Sequence, residues 1–302
     1  MAGTRVQSLA EAVRAHVRPG MHLNFASTPS RSNAAVREVA RAFRGHEPAF
    51  VLSSTGFHST AHLLAMLGLG RRYVACFFGD NYPMPRPHPL YERLHREGKL
   101  EAWSLWSYVS ALRAGALGQP FALTRSLVGS GLAADLAAHG AFRPLPLAHA
   151  PGRSSAVADP FASGPPSAPR AEAAPLGLVA ALRPDITFVH GLLGDGRGNV
   201  VFSPPHSEGF WGALGATTGV IATVERIVDP SVCEAFPDSL KIPAHRLLAV
   251  CEAPYGAHPQ PLYAAPRYGV PGYVDDFDHY EQWRAMALDP SAAAPFLEHV
   301  LA

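Results

Sequence analysis

Apolar residues recur along this chain in short runs, each followed by small polar residues and then by a stretch with helical spacing. Met21-His22-Leu23-Asn24-Phe25 alternates as a strand, and Ala49 to Leu52 and Tyr73 to Phe78 read as buried strands. Ile186-Thr187-Phe188-Val189 opens like a buried parallel strand, and Gly219 to Val224 and Leu247 to Val250 repeat the pattern. Ser8-Leu9-Ala10-Glu11 has the form of a capping box, so a helix starts there, buries Leu9, Val13 and Val17, and stops at Pro19-Gly20. Further helices are predicted at Asn33 to Phe43, around His62 to Leu67, and at Leu90 to Glu97, Tyr108 to Leu117 and Ala292 to Leu301. Strand, loop and helix return about every 25 to 30 residues, the cadence of βαβ units. The predicted fold is therefore α/β: an open, mainly parallel twisted sheet with helices on both faces, as a single domain over residues 1–302. The C-terminal region from Tyr273 is expected to pack across the outside of the sheet.

One segment breaks the cadence. From Ala148 to Pro175 the composition turns to Ala, Pro, Ser and Gly, with Val157 and Phe161 as the main large apolar residues. Such a segment cannot bury a core of its own and reads as a surface loop. The strand pattern resumes unchanged at Leu176 to Ala181, which favours an insertion at about 148–175 over a domain linker.

Composition narrows the class. Hydrophobic residues make up 48% and charged residues 16%, which suits a large core and excludes disorder for most of the chain. Twenty-five Lys plus Arg against 24 Asp plus Glu leave a net charge of +1 without a basic run, so nucleic acid is not an expected partner. Cys76, Cys233 and Cys251 are scattered, without a C-x-x-C pair, so neither a disulfide framework nor a zinc site follows. Cys76 and Cys251 read as buried structural thiols. The N-terminal residues lack the apolar core of a signal peptide, and the uncharged stretch from Pro48 to Gly70 is too polar for a membrane span. A soluble, cytoplasmic protein is expected.

Candidate chemistry collects at the predicted strand ends. Ser27-Thr28, Ser53 to Gly56, Gly79-Asp80, Ser126, Gly129-Ser130, His190 and Asp195 would share one edge of a parallel sheet. That edge is where open α/β sheets bind ligands, and it would offer hydroxyl and amide donors to a carboxylate or a thioester carbonyl. Turns require the same residue types, so the pattern also has a purely structural explanation. Trp103 and Trp106, with Ser104 and Ser107 beside them, would share a face on a helix and read as core or interface packing. Glu208 reads either as a nucleophile or as a helix-start carboxylate favoured by the dipole; the second is preferred. Glu225 and Arg226 read as a local ion pair. His258 either faces the crevice or is structural. His22, His58, His62 and His206 lack metal-like spacing, so a metal site is not expected.

Read together, these motifs resemble the alpha subunits of family I CoA transferases, of the glutaconate CoA-transferase alpha-chain type. The resemblance rests on Ser8 to Val13, Gly20-Met21, Phe78 to Pro83, Glu101 to Ser104, Leu117 to Phe121 and Thr124 to Ser130. It continues through Val189-His190, Asp195-x-x-Gly198-Asn199, Thr223 to Val228, Ile242-Pro243 and Glu252 to Pro259, in order along nearly the whole chain. It implies a similar beta subunit, with the active site in the cleft between the two. A Glu of that partner, in a Ser-Glu-Asn-Gly motif, would attack the acyl-CoA and pass through an anhydride and a glutamyl-CoA thioester. This chain has only the echo Ser207-Glu208-Gly209, so it would be inactive alone. It also lacks the glycine-rich form in loop 26–30. The expected substrate-binding set is Ser27, Thr28, Ser54, Gly56, Phe78, Gly79, Ser104, Ser107, Gly129, Ser130, His190 and Asp195, with no catalytic residue and no metal assigned to this chain. The coenzyme A thioester would be a substrate, with no permanently bound cofactor. The expected ligands are an acyl-CoA and a small carboxylic acid. The expected assembly is a hetero-oligomer, dimer or tetramer, with a homodimer as the fallback, through the segments Trp103 to Tyr108 and Phe210-Trp211. Two other readings stay open: a CoA-ester decarboxylase or hydrolase on this fold, and a non-catalytic acyl-CoA-binding protein.

Overall fold

The computed structural model describes residues 4–27, 30–80, 85–86, 88–145, 176–204, 206–263, 265–288 and 290–301. Thr28 and the expected insertion at 148–175 lie outside the described residues.

The capping box forms: the Ser8 hydroxyl accepts from the Glu11 amide and the Glu11 carboxylate accepts from the Ser8 amide, starting α1 (Leu9–His16). The chain continues through β1 (His22–Phe25), α2 (Asn33–Phe43), β2 (Phe50–Ser53) and β3 (Gly56–Phe57). A 3-10 turn (Ser59–Ala61) leads into α3 (His62–Met66), β4 (Gly70–Ala75), β5 (Phe77–Phe78), α4 (Pro89–Arg96), β6 (Leu100–Ala102) and α5 (Leu105–Ala116). Next come β7 (Phe121–Thr124), α6 (Gly131–Ala138), β8 (Phe142–Leu145) and β9 (Leu176–Ala180). The chain then runs through β10 (Ile186–Gly194), β11 (Val200–Val201), α7 (Gly209–Gly215), β12 (Gly219–Ile227), α8 (Pro230–Glu234) and β13 (Leu247–Glu252), and closes with α9 (Phe277–Leu288) and α10 (Pro290–Leu301).

The main sheet has the order β13-β12-β10-β1-β2-β4-β6, with every neighbouring pair in that order parallel and β11 antiparallel on β10. Alternation along the strands feeds two cores. Phe50, Leu52, Tyr73 and Ala75 join the cluster under α1 and α2, while Val51 and Val74 join the one under α5 and α6. Phe25 and Phe188, paired across β1 and β10, stack with centroids 5.0 Å apart. The expected α/β class with a mainly parallel sheet is the observed one.

Two expectations change. Leu176 to Ala181 does not resume the parallel sheet: β9 sits between β7 and β8 in a separate antiparallel sheet. Its alternating burial suits an antiparallel sheet covered on one side, unlike the fully buried β10. The C-terminal helices pack on the helical layer rather than on the sheet, burying Trp283, Met286 and Leu301 against Ala40 and Leu63.

The short helix α7 docks tightly behind β1. A Cβ at Gly209 would stand 2.5 to 2.9 Å from the backbone O, C and N of Ser27. Gly209→Ala should therefore destabilise the chain by about 1–3 kcal/mol, read as a lower urea midpoint at unchanged slope. Gly131, whose Cβ position is open, should tolerate Ala within about 0.5 kcal/mol in the same titration.

Candidate active site

From β1 the chain steps outward through β2, β4 and β6 on one side, while β10, β12 and β13 extend the other. The carboxyl end of the β1–β10 pair is thus the topological switch point, where loops diverge and leave a crevice. Four loops meet there. After β1, the Ser27 hydroxyl bonds the Thr55 hydroxyl, and the Ser207 hydroxyl donates to the Ser27 carbonyl. Arg31, half-buried, donates from Nη1 to Ser54 Oγ at 3.3 Å and Thr55 Oγ1 at 3.1 Å. Ser30 donates to the carbonyl of His190 at 3.0 Å, tying the β1 loop to β10. Glu208, at the start of α7, lies within electrostatic reach of Arg31, Cys76 and Tyr108.

The guanidinium decides the character of this crevice. Burial pulls its pKa down and Glu208 opposes that shift, while its hydrogen bonds to Ser54 and Thr55 engage only neutral hydroxyls. A cation so placed favours a carboxylate or an oxygen gaining negative charge. Cys76 is not a nucleophile: burial, reinforced by Glu208, pushes its thiol up to about 12, so at neutral pH it stays protonated.

The structure gathers part of the predicted set. Ser27, Ser54, Gly56, Phe78 and Gly79 lie at the ends of β1, β2 and the β3–β5 pair. Phe78 stacks on Phe57 at 5.7 Å, and the Gly79 amide bonds the Phe57 carbonyl. A Cβ at Gly56 would come within 3.0 Å of the His58 ring, so this glycine makes room for His58. Other members are spent locally. The Ser104 hydroxyl caps α5 by accepting from the Ser107 amide, and the Ser107 hydroxyl donates back to the Ser104 carbonyl. Ser126, Gly129 and Ser130 follow β7 in the separate antiparallel sheet, where Ser130 caps α6, so they are not on the rim of the main sheet. The Asp195 carboxylate accepts from the amides of Arg197 and Asn199 and from Asn199 Nδ2, holding its own loop. His190 is buried, with Nδ1 on Thr223 Oγ1 and Nε2 on Glu225, both at 2.8 Å.

Glu225 is not paired with Arg226. It takes His190, the Tyr255 amide and the Tyr273 hydroxyl, because alternation along β12 puts residues 225 and 226 on opposite faces. Trp103 and Trp106 do not share a face either. Ser104 begins α5 between them, leaving Trp103 buried and Trp106 66% exposed. His258 takes the structural role: its Nε2 lies 2.8 Å from the Asp276 carboxylate.

Sequence reasoning missed a cavity of about 200 Å³ at this edge, closed by α9. Its wall includes His58, Ser59, His62 and Asp80 on one side and Phe277, Tyr280 and Trp283 on the other. Two triads bring potential ligand atoms within 4.8 Å of one another, His62–Asp80–His88 and His258–Asp276–His279. Each comes from separate elements, which is why spacing did not reveal it. Both triads also have partners within the chain. Asp80 already faces Arg86 at 3.4 Å, and His88 Nδ1 accepts the Leu90 amide, leaving the ring proton on Nε2 in the neutral form. Asp276 already accepts from His258 and from the His279 amide.

Comparison with known proteins places this architecture. A family model described as Coenzyme A transferase matches residues 6–253. Over 133 residues the chain is 31% identical to the A chain of the 3-oxoadipate CoA-transferase of Pseudomonas knackmussii, a match covering 42% of this chain and 41% of that protein. The chain thus spans about two fifths of that curated relative's length. Glutaconate coenzyme A-transferase from Acidaminococcus fermentans superposes with a TM-score of 0.78 over 99% of this chain and 89% of its own, at 20% identity. A cysteine-to-serine variant of the decarboxylase AibA/AibB superposes with a TM-score of 0.71 over 100% and 99% of the two chains, at 23% identity. These two likenesses are likenesses of fold, shared by a transferase and a decarboxylase. The match over residues 6–253 carries further: the chain belongs to the coenzyme A transferase family.

Proposed function

We propose that this chain is the alpha-type half of a two-component acyl-CoA:carboxylate CoA transferase, acting in the cytoplasm, with its site completed by a beta-type subunit. The carrying observation is the crevice at the switch point: oriented hydroxyls and a half-buried guanidinium, beside a thiol that burial keeps protonated. Such a site binds and polarises but does not attack. The attacking carboxylate is assigned to a Glu of the partner. Its oxygen bonds the thioester carbonyl carbon, CoA leaves as thiolate, and an acyl anhydride remains. The thiolate then attacks the glutamyl carbonyl, releasing the first acid, and the resulting enzyme thioester passes CoA to a second acid by the same two steps in reverse. In this reading Arg31 and the rim hydroxyls hold the carboxylates, and the CoA ester is a substrate, not a resident cofactor.

A second reading, a CoA-ester hydrolase or decarboxylase, is favoured by one observation: Glu208 lies within electrostatic reach of Arg31. A carboxylate held there would serve as a base on water or as a charge partner during loss of carbon dioxide.

The segment around Trp106 supports the assembly. Leu105 and Trp106 are 55% and 66% exposed at the start of α5, so neither indole nor leucine is explained by this chain's own core. Tryptophan is enriched at interface centres, and a hetero-oligomer, dimer or tetramer, burying on the order of 2,000 Å² is expected here.

Two experiments test these statements. Co-expressed with a beta-type partner bearing Ser-Glu-Asn-Gly, the chain should exchange CoA between a thioester and a free acid through a hydroxylamine-sensitive enzyme thioester. Glu208→Gln should leave that exchange within about threefold, since the attacking carboxylate is elsewhere. Release of free CoA or carbon dioxide without an acceptor acid, abolished by Glu208→Gln, would establish the second reading instead. For the assembly, Trp106→Glu should separate the subunits in sedimentation while far-UV circular dichroism stays unchanged. An assembly untouched by that charge overturns the placement of the interface.

A further inference from the structure

We propose that the cavity beneath α9 is a binding site for an uncharged acyl group bearing a carbonyl or hydroxyl oxygen, held by the Nε2–H of His58. The assignment to an acyl group rests on the CoA-ester reading above; the donor rests on the hydrogen-bond geometry around the ring and on the burial of that ring.

A chain of buried amides fixes the His58 tautomer. The Ala257 carbonyl can only accept, so the Asn33 nitrogen that bonds it at 2.6 Å is Nδ2. That Nδ2 also donates to Gln260 at 2.7 Å, which makes the Gln260 atom there Oε1. The other end of the Gln260 amide, Nε2, then donates to His58 Nδ1 at 3.2 Å. Since Nδ1 accepts, a neutral His58 ring carries its proton on Nε2. The ring is neutral because burial, helped by Arg31 and His62, holds its pKa well below the usual histidine value. All three side chains are less than one-tenth exposed, so the relay is shielded from exchange with water. His58 is therefore a fixed donor and cannot act as a general base at Nε2.

Two residues of the wall also carry buried polar atoms without partners. Among the described residues, Trp283 Nε1 and Ser59 Oγ are buried without a hydrogen-bond partner, and both residues line the wall with His58. A buried N–H without an acceptor is unfavourable. Ser59 also holds a positive φ of 53°, a conformation that concentrates at ligand sites in non-glycine residues.

The charges in the wall exclude an acid. Among the described residues the lining contains no Lys or Arg, while Asp80 and Asp275 both face it. Each carboxylate is already engaged, Asp80 by His62 and Arg86 and Asp275 by the Tyr280 hydroxyl, and neither leaves a cation for a second anion. Phe277, Tyr280 and Trp283 supply an apolar floor. A cavity of about 200 Å³ takes a short acyl chain but not the nucleotide of CoA. The ligand class that fits is a neutral oxo- or hydroxyacyl group.

The test is nitrogen-15 NMR on histidine-labelled full-length chain, with His58→Gln to assign the resonance. Free protein should show His58 protonated at Nε2 alone and not titrating from about pH 5.5 to 8. The N-acetylcysteamine thioester of 3-oxobutanoate should move that resonance saturably, and the glutaryl thioester, with its terminal carboxylate, should bind about tenfold more weakly or worse. Gln260→Glu, which can only accept from the ring, should transfer the proton to Nδ1 and abolish the response to the oxo thioester. A wild-type ring protonated at Nδ1, equal binding of the glutaryl thioester, or silence with both thioesters overturns the proposal, and the wild-type measurements stand even where the variant does not fold. An alpha–beta complex that transfers no CoA while the His58 response persists would overturn the transferase reading alone.

Discussion

The fold turns on one polar residue in the middle of its central strand. Asn24 is buried in β1, where its Oδ1 accepts from Ser53 in β2 at 3.0 Å and from the Tyr108 hydroxyl of α5 at 2.9 Å. On the other side its Nδ2 lies 3.5 Å from Thr187 Oγ1, which donates to the Gly212 carbonyl of α7. Asn24 is in register with both Ser53 and Thr187, so one polar row crosses three strands. A slip of one residue would turn that row to the opposite face and leave several polar atoms unpaired in an apolar core. Each bond adds only about 1 kcal/mol net, but each orphan costs about 1–3, and that asymmetry is what specifies the register.

The register in turn places the site. With β1 locked between β2 and β10, the loops that leave their carboxyl ends have one relative position. Arg31 meets Ser54 and Thr55, and Ser30 meets the His190 carbonyl. Helix α7 must approach closely behind them, which is why glycines face Ser27 and Asn24 at positions 209 and 212. The Tyr108 hydroxyl that supports Asn24 belongs to α5, whose first turn carries the exposed Trp106. Sheet register, crevice and the exposed aromatic surface are thereby parts of one rigid unit.

Much of this was legible in the sequence because local physics writes it there. The capping box at Ser8, the span of α2 and the buried runs of β2, β4 and β10 need no distant partner to be recognised. Ser27, Ser54 and Gly79 were legible as strand-end residues because small polar residues mark strand ends. Arg31 was missed because a lone cation before a helix looks like any surface arginine until topology sets it against residues 54 and 55. The Asn33–Gln260–His58 relay joins positions more than two hundred apart in sequence, and no local pattern announces it. Ser104 and Ser107 went the other way: hydroxyls beside two tryptophans suggest a ligand, yet the nearest unsatisfied donors are their own helix amides.

The crevice and the cavity are chemically unlike neighbours, and the wall between them is the amide relay. His58 and Gln260 line both the cavity under α9 and the small void that reaches Arg31 and Ser54. On one side a guanidinium and hydroxyls favour an oxygen that carries or gains charge. On the other, aromatics, two engaged carboxylates and a neutral imidazole favour an uncharged group. Arg31 is also one of the groups that disfavours the imidazolium form of His58, so the cation that suits the crevice to anions keeps its neighbour neutral. The two compartments are thus electrostatically coupled: removing the charge at position 31 would weaken anion binding and at the same time ease protonation of the adjacent ring. A substrate with a reacting carbonyl and an uncharged tail meets both preferences at once, whereas a molecule charged at both ends meets only one.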